Sequence, residues 1–268
     1  MERRRIVTIV WAISTLLAGG PWGGMGAQFG PLRNLAQAPQ AKSPEELDSY
    51  LEILVETDPP QRIAKVETFT GNYPDSSLVG LAYQYQMLAY EELKDFEGVI
   101  RAGRKALPRL PENLKTLLTL SAAIANVADN QSDRDQLLGE AEDYARRALP
   151  LLERFLIARQ LSIEEWERTR AQMKAQAHES LGQIAAKRSQ WVNAVSEFQQ
   201  AVESSPTPQG SQFLRLGLAC AMLDRSECAE TALVKASELG PEAVRTRSLE
   251  ALWKVKKRRQ SSLSSEPK

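Results

Sequence analysis

The chain has 268 residues in which 34 lysines and arginines balance 34 aspartates and glutamates, so its net charge implies neither nucleic acid nor an acidic surface as a bulk partner. Its 33 alanines and 34 leucines make a quarter of the chain strong helix formers against 6% aromatics, which points to an all-α protein. One histidine, His178, and two cysteines, Cys220 and Cys228, are too few for an ordinary zinc site or a disulfide framework, so most enzyme classes lose their usual chemical groups.

Residues 1–27 read as an export signal. Arg3-Arg4-Arg5 precede an uncharged run of 13 residues, Ile6 to Ala18, and a Gly-rich stretch ends at Ala27 just before Gln28. The run is short of the roughly 20 apolar residues that a membrane span needs. Retention of the segment as an uncleaved anchor is the alternative, and with no cysteine before Cys220 a lipid-anchored N-terminus is not expected. Residues 28–42, built of Ala, Gln, Pro and Gly without periodicity, are expected to be a flexible linker.

Folding is expected to begin at Ser43. Ser43-Pro44-Glu45-Glu46 supplies an N-cap, a proline at the first helical position and acids in the first turn, and Leu47, Leu51, Leu54 and Val55 form an apolar stripe. Pro59 and Pro60 end this helix and open a second, in which Ile63, Val66 and Phe69 recur at helical spacing before Gly71 and Tyr73-Pro74. Together they form a helical hairpin.

The hairpin repeats. Ala194, Phe198, Ala201 and Pro206 each stand 35 residues before Ala229, Leu233, Ala236 and Pro241, and Leu181-Gly182 stands 35 before Leu216-Gly217. Upstream, Tyr83, Met87, Tyr90, Phe96, Val99, Ala106 and Pro111 occupy matching columns, with Tyr83 to Leu117 and Met87 to Ser121 each separated by 34. Ala141, Ala145 and Ala148 continue the second-helix column after eight extra residues, which fall in the polar stretch at about Asp129 to Gln136. A second interruption lies between Leu149 and Ala175; there the capping box Ser162-Ile163-Glu164-Glu165 predicts an elongated helix running to about Lys187. Pro241-Glu242 opens a last helix with Val244, Leu249, Leu252 and Trp253 apolar, expected to cap the array, and residues 259–268 read as a disordered tail.

These columns resemble the tetratricopeptide repeat, a helix-turn-helix unit of 34 residues, over roughly Ser43 to Gly240. The resemblance implies a right-handed superhelical solenoid of about four to five hairpins within residues 43–258. It departs from the family pattern at Gln86, Gly103 and Glu153. It also implies that function resides on the concave face built by the first helices. The positions there are Gln84, Leu88 and Glu92, then Leu118, Ala122 and Asn126, then Glu179, Gln183 and Lys187, then Leu214, Leu218 and Met222. Family members that clamp a terminal carboxylate carry Lys and Asn at such positions. Only Asn126 and Lys187 match here, and the last row is apolar instead, which suits an apolar helix or extended segment of another protein.

The remaining features have plain readings. His178 occupies a packing column without a cooperating group. Glu45-Glu46, Glu91-Glu92 and Glu164-Glu165 are adjacent pairs whose side chains diverge by about 100° on a helix, so they do not make an acid and base facing one substrate. Gly19 to Gly26 follows no strand and opens no helix, so it is no phosphate loop, and Asn130-Gln131-Ser132 is a glycosylation acceptor by pattern alone. The cations Lys254, Lys256, Lys257, Arg258 and Arg259 suit a helix C-terminus. Cys220 and Cys228, four residues either side of a turn between two helices, are expected to pack as two free thiols, with a disulfide in an exported protein as the alternative. The expectation is a non-enzymatic scaffold without cofactor, metal or small-molecule ligand, periplasmic or secreted, that binds a protein or peptide segment during envelope or extracellular assembly. No nucleic acid and no stable membrane insertion after signal cleavage are expected. A membrane-tethered assembly factor, or an enzyme without a recognisable motif, are the alternatives.

Overall fold

A computed structural model of the chain describes residues 39–154 and 162–264. The expected export signal over residues 1–27, most of the expected linker, residues 155–161 and the last four residues lie outside the described residues. Eleven α-helices and no strand occur among the described residues, as the alanine and leucine content implies. None of these helices is long and apolar enough to cross a membrane. The chain divides into two compact units: the first runs to Val127 and also takes Glu153 and Arg154 at the end of a later helix, and the second opens at Ala128.

The first unit holds α1 (Pro44–Val55), α2 (Pro59–Asn72), α3 (Val79–Glu92), α4 (Phe96–Ala106) and α5 (Leu114–Val127). Ser43 caps α1 as its sequence predicts, its Oγ accepting from the Glu46 N–H at 3.2 Å, and Asp58 does the same for α2 by accepting from Gln61 N–H. Tyr50, Ile53, Val66 and Phe69 pack α1 on α2 and join Leu78, Val79 and Ala82 in one core. Residues 40–42, expected to end a flexible linker, are tied down: Gln40 exchanges hydrogen bonds with Ser77 Oγ, and Lys42 Nζ donates to the Asp75 carbonyl.

The second unit holds a 3-10 turn (Ala128–Asn130), α6 (Arg134–Arg154), α7 (Ile163–Lys187), α8 (Trp191–Ser204), α9 (Gly210–Met222), α10 (Ser226–Leu239) and α11 (Glu242–Ser264). The capping box at Ser162 forms in both directions: Glu165 N–H donates to Ser162 Oγ and Ser162 N–H to Glu165 Oε2. The predicted long helix therefore stands. At the other end α11 continues to Ser264, so residues 259–264 are helical where the composition predicts a tail.

Within hairpins α7–α8 and α9–α10 a small residue of the first helix faces a large one of the second, and the pair recurs after 35 residues. A Cβ on Gly182 would lie 2.5 Å from the Phe198 ring, and one on Gly217 would lie 2.7 Å from the Leu233 side chain. Only hydrogen fits there, so the Leu-Gly column records close helix approach. The turns of three hairpins share a further device that the repeat columns did not reveal: Lys94, Ser189 and Asp224 adopt left-handed backbone, with φ of 58°, 58° and 53°. Each lies between the two helices of its pair, where one such residue reverses the chain. Ala141, Ala194 and Ala229, the expected close-packed column, are fully buried. Ala194→Leu should overpack the α7–α8 contact and lower the unfolding free energy by about 1 to 3 kcal/mol, read from urea unfolding followed by circular dichroism. A neutral result would show the repeat register to be wrong.

Candidate functional site

The candidate positions separate sharply by burial. In the first unit Gln84 is closed off, because Asn113 caps α5 with its Oδ1 on Thr116 N–H and turns its Nδ2 to Gln84 Oε1 at 3.0 Å. Leu118 is wholly buried, on a helix whose apolar residues run right round its circumference. Leu88 is half-buried, while Glu92 and Asn126 are exposed, and Glu92 is paired with Arg62 at 2.8 Å. In the second unit Leu214 is buried in the cluster that contains Phe213 and Val255, because α11 folds back over α9. Gln84, Leu118 and Leu214 thus hold the helices together and are not available to a ligand. Spacing located the face of each helix but not the neighbour that covers it.

Gln183, Lys187, Leu218 and Met222 are brought together. They line a groove of about 530 Å³ between α7, α8, α9 and α11. Trp191, Phe198, Leu218, Ala219 and Met222 make much of its apolar lining, and α11 supplies Ala251 and Val255. Lys187, Arg215, Lys254 and Arg258 are its charged residues, and none of the lining residues is an acid. Met222 is 56% exposed, a long apolar side chain left in water. Trp191, Arg215 and the α11 residues escaped the sequence reading. Trp191 begins a second helix and Lys254 and Arg258 belong to a basic run, so neither showed a periodic signal pointing at α9.

Salt bridges brace the mouth. Lys187 Nζ and Arg134 both bond Asp129, and Arg134 also donates to the Lys187 carbonyl. The Lys187 hydrogen bond comes first among the causes that hold the Asp129 carboxyl below its ordinary range. Arg215 pairs with Glu179, while burial and then the nearby charge of Arg247 pull its pKa below the ordinary guanidinium value. His178 Nδ1 lies 2.8 Å from Glu197 Oε2; a carboxylate only accepts, so Nδ1 carries the hydrogen and the pair joins α7 to α8. His178 is structural as its column implies, but Glu197 is a partner that the sequence reading did not give it. No group of three or more metal-ligating side chains stands together among the described residues.

The thiols correct an expectation. Cys220 and Cys228 form a disulfide, with Cα atoms 5.9 Å apart. The left-handed Asp224 and the Arg225 N–H bond to the Cys220 carbonyl fold α10 back on α9, so that both side chains meet over the turn. Cys220 still fills its core column, and the bridge pins the helix end that carries Ala219, Ala221 and Met222. Reduction should cost about 2 to 3 kcal/mol, the loop-closure value for so short a ring. Melting curves with and without dithiothreitol check this, and an unchanged midpoint would contradict it.

The comparisons with known proteins bear on the architecture. A MamA protein, the RS-1 ArsTM double mutant, superposes with a TM-score of 0.55 over 74% of this chain and 96% of its own, at 15% identity. The fold is tetratricopeptide-like. Lower-scoring likenesses are a thermophilic TPR protein of Thermus thermophilus (TM-score 0.47, 18% identity, 78% of this chain and 96% of that one) and a MamA protein (0.43, 18%, 71% and 97%). No family model and no curated protein matches the sequence. In this TPR-like array the groove lies where the last two hairpins of the second unit meet the capping helix.

Proposed function

We propose that the chain is an exported, non-enzymatic scaffold that holds a segment of another protein in the groove of its second unit, in the service of cell-envelope or extracellular assembly. The groove carries this reading. It is apolar, open and bounded by rigid helices, which is how an amphipathic segment is gripped with little ordering cost on the receptor side. Two observations support export. Arg3-Arg4-Arg5 followed by Ile6 to Ala18 has the order of a secretory signal, and bridges such as Cys220–Cys228 persist in oxidising compartments.

The test is the natural chain itself. Its N-terminus, sequenced from the native host, should begin near Gln28 in a soluble, non-cytoplasmic fraction. An intact Met1 in the cytosol would defeat export, whereas an intact Met1 in the membrane fraction would favour the tethered form. Affinity capture from the envelope fraction with the purified mature chain then asks whether a protein partner is retained.

A further inference from the structure

We infer that the occupant of the groove is an acidic amphipathic segment of the partner protein, with its apolar side chains against Trp191, Leu218 and Met222 and its carboxylates against Lys254 and Arg258. This rests on the groove being the protein-binding site and adds the chemistry of what enters it.

Charge complementarity selects that chemistry. Every charged residue lining the groove is a cation, although the whole chain is electrically balanced. Three of the four have carboxylate partners that lie outside the lining: Asp129 for Lys187, Glu179 for Arg215 and Asp224 for Arg258. Lys254 has no ion-pair partner among the described residues, and it projects from α11 one turn before Arg258. Arg247 adds a further positive charge close to Arg215. A basic segment would meet repulsion at Lys254, the lining cation without a carboxylate partner among the described residues, and an uncharged one would leave it uncompensated. An acidic side chain reaching Lys254 while a neighbouring apolar residue covers Met222 satisfies both surfaces. The 530 Å³ of the groove suits a few side chains of one segment, not a folded domain.

A random dodecapeptide library displayed on phage, panned on the full-length chain, provides the probe. Enriched peptides are resynthesised and titrated by fluorescence polarisation against wild type, Leu218→Asp and the double variant Lys254→Glu with Arg258→Glu, at low and high salt. Both basic positions are exposed, so the double variant is expected to fold. The expected peptides carry net negative charge and at least two apolar residues. They should lose tenfold or more in affinity to the double variant, weaken severalfold at high salt and fail to bind Leu218→Asp. Neutral or basic peptides that still require Leu218 would overturn the acidic occupant and leave the groove reading intact. Absence of enrichment, or peptides indifferent to Leu218→Asp, would remove the groove reading and this inference with it. Leu218-dependent binding to phosphatidylglycerol vesicles in place of any peptide would assign the groove to an anionic lipid and overturn the inference.

Discussion

Leu218→Asp is expected to weaken binding of the partner segment by about 30-fold to 1,000-fold, the range of about 2 to 4 kcal/mol that separates interface hot spots from their neighbours. Leu218 is half-buried within the groove, between Ala219 below and Met222 one turn on. An aspartate there would sit beneath any bound segment, give up the apolar contact that the leucine makes and lose its water when the groove closes over it. The cost to folding is smaller, since Leu218 only flanks the core cluster and does not belong to its buried members. A circular dichroism spectrum and melting curve separate the two effects. Loss of binding with helicity retained supports the site. An unfolded variant would place Leu218 in the core, and unchanged affinity would take the groove out of function.

Phe198→Ala is expected to cost about 3 to 5 kcal/mol of unfolding free energy. Phe198 is 4% exposed, and its ring occupies the space that Gly182 leaves by having no side chain, so its truncation leaves a void that the glycine cannot fill. It also lines the groove, which makes the variant's binding loss uninterpretable by itself; urea unfolding is the proper measurement. Leu233→Ala, in the same column one repeat later, should behave alike at about 2 to 5 kcal/mol, because Leu233 fills the space beside Gly217. A loss below about 1 kcal/mol at Phe198 would mean that the α7–α8 contact relaxes freely, contrary to the close approach its glycine permits.

The hairpins and their caps were legible in the residues. Ser43 and Ser162 carry their own capping partners three residues on, and Gly182 with Phe198 repeats as Gly217 with Leu233. Both kinds of contact close within one hairpin, so the partner of each residue is fixed by spacing along the chain. The candidate face was only partly legible. The i, i+4 rows that contain Gln84, Leu118 and Leu214 are real helix faces, but exposure belongs to whatever packs against them: Asn113 against Gln84, and the returning α11 against the helix of Leu214.

What the sequence by itself determined, then, is the all-helical build, the period of about 35 residues, the long helix that starts after Ser162 and the column of buried alanines. These follow from helical periodicity and from steric matching between residues less than one repeat apart. The tertiary structure decided that Cys220 meets Cys228, because pairing depends on the direction of two side chains across a turn reversed by Asp224. It also decided that Gln183, Trp191, Leu218 and Lys254 share one apolar groove with a basic side. Their meeting requires α11 to fold back across α9, and no local spacing encodes the proximity of residues up to 71 positions apart, because that proximity exists only once the intervening hairpins have packed.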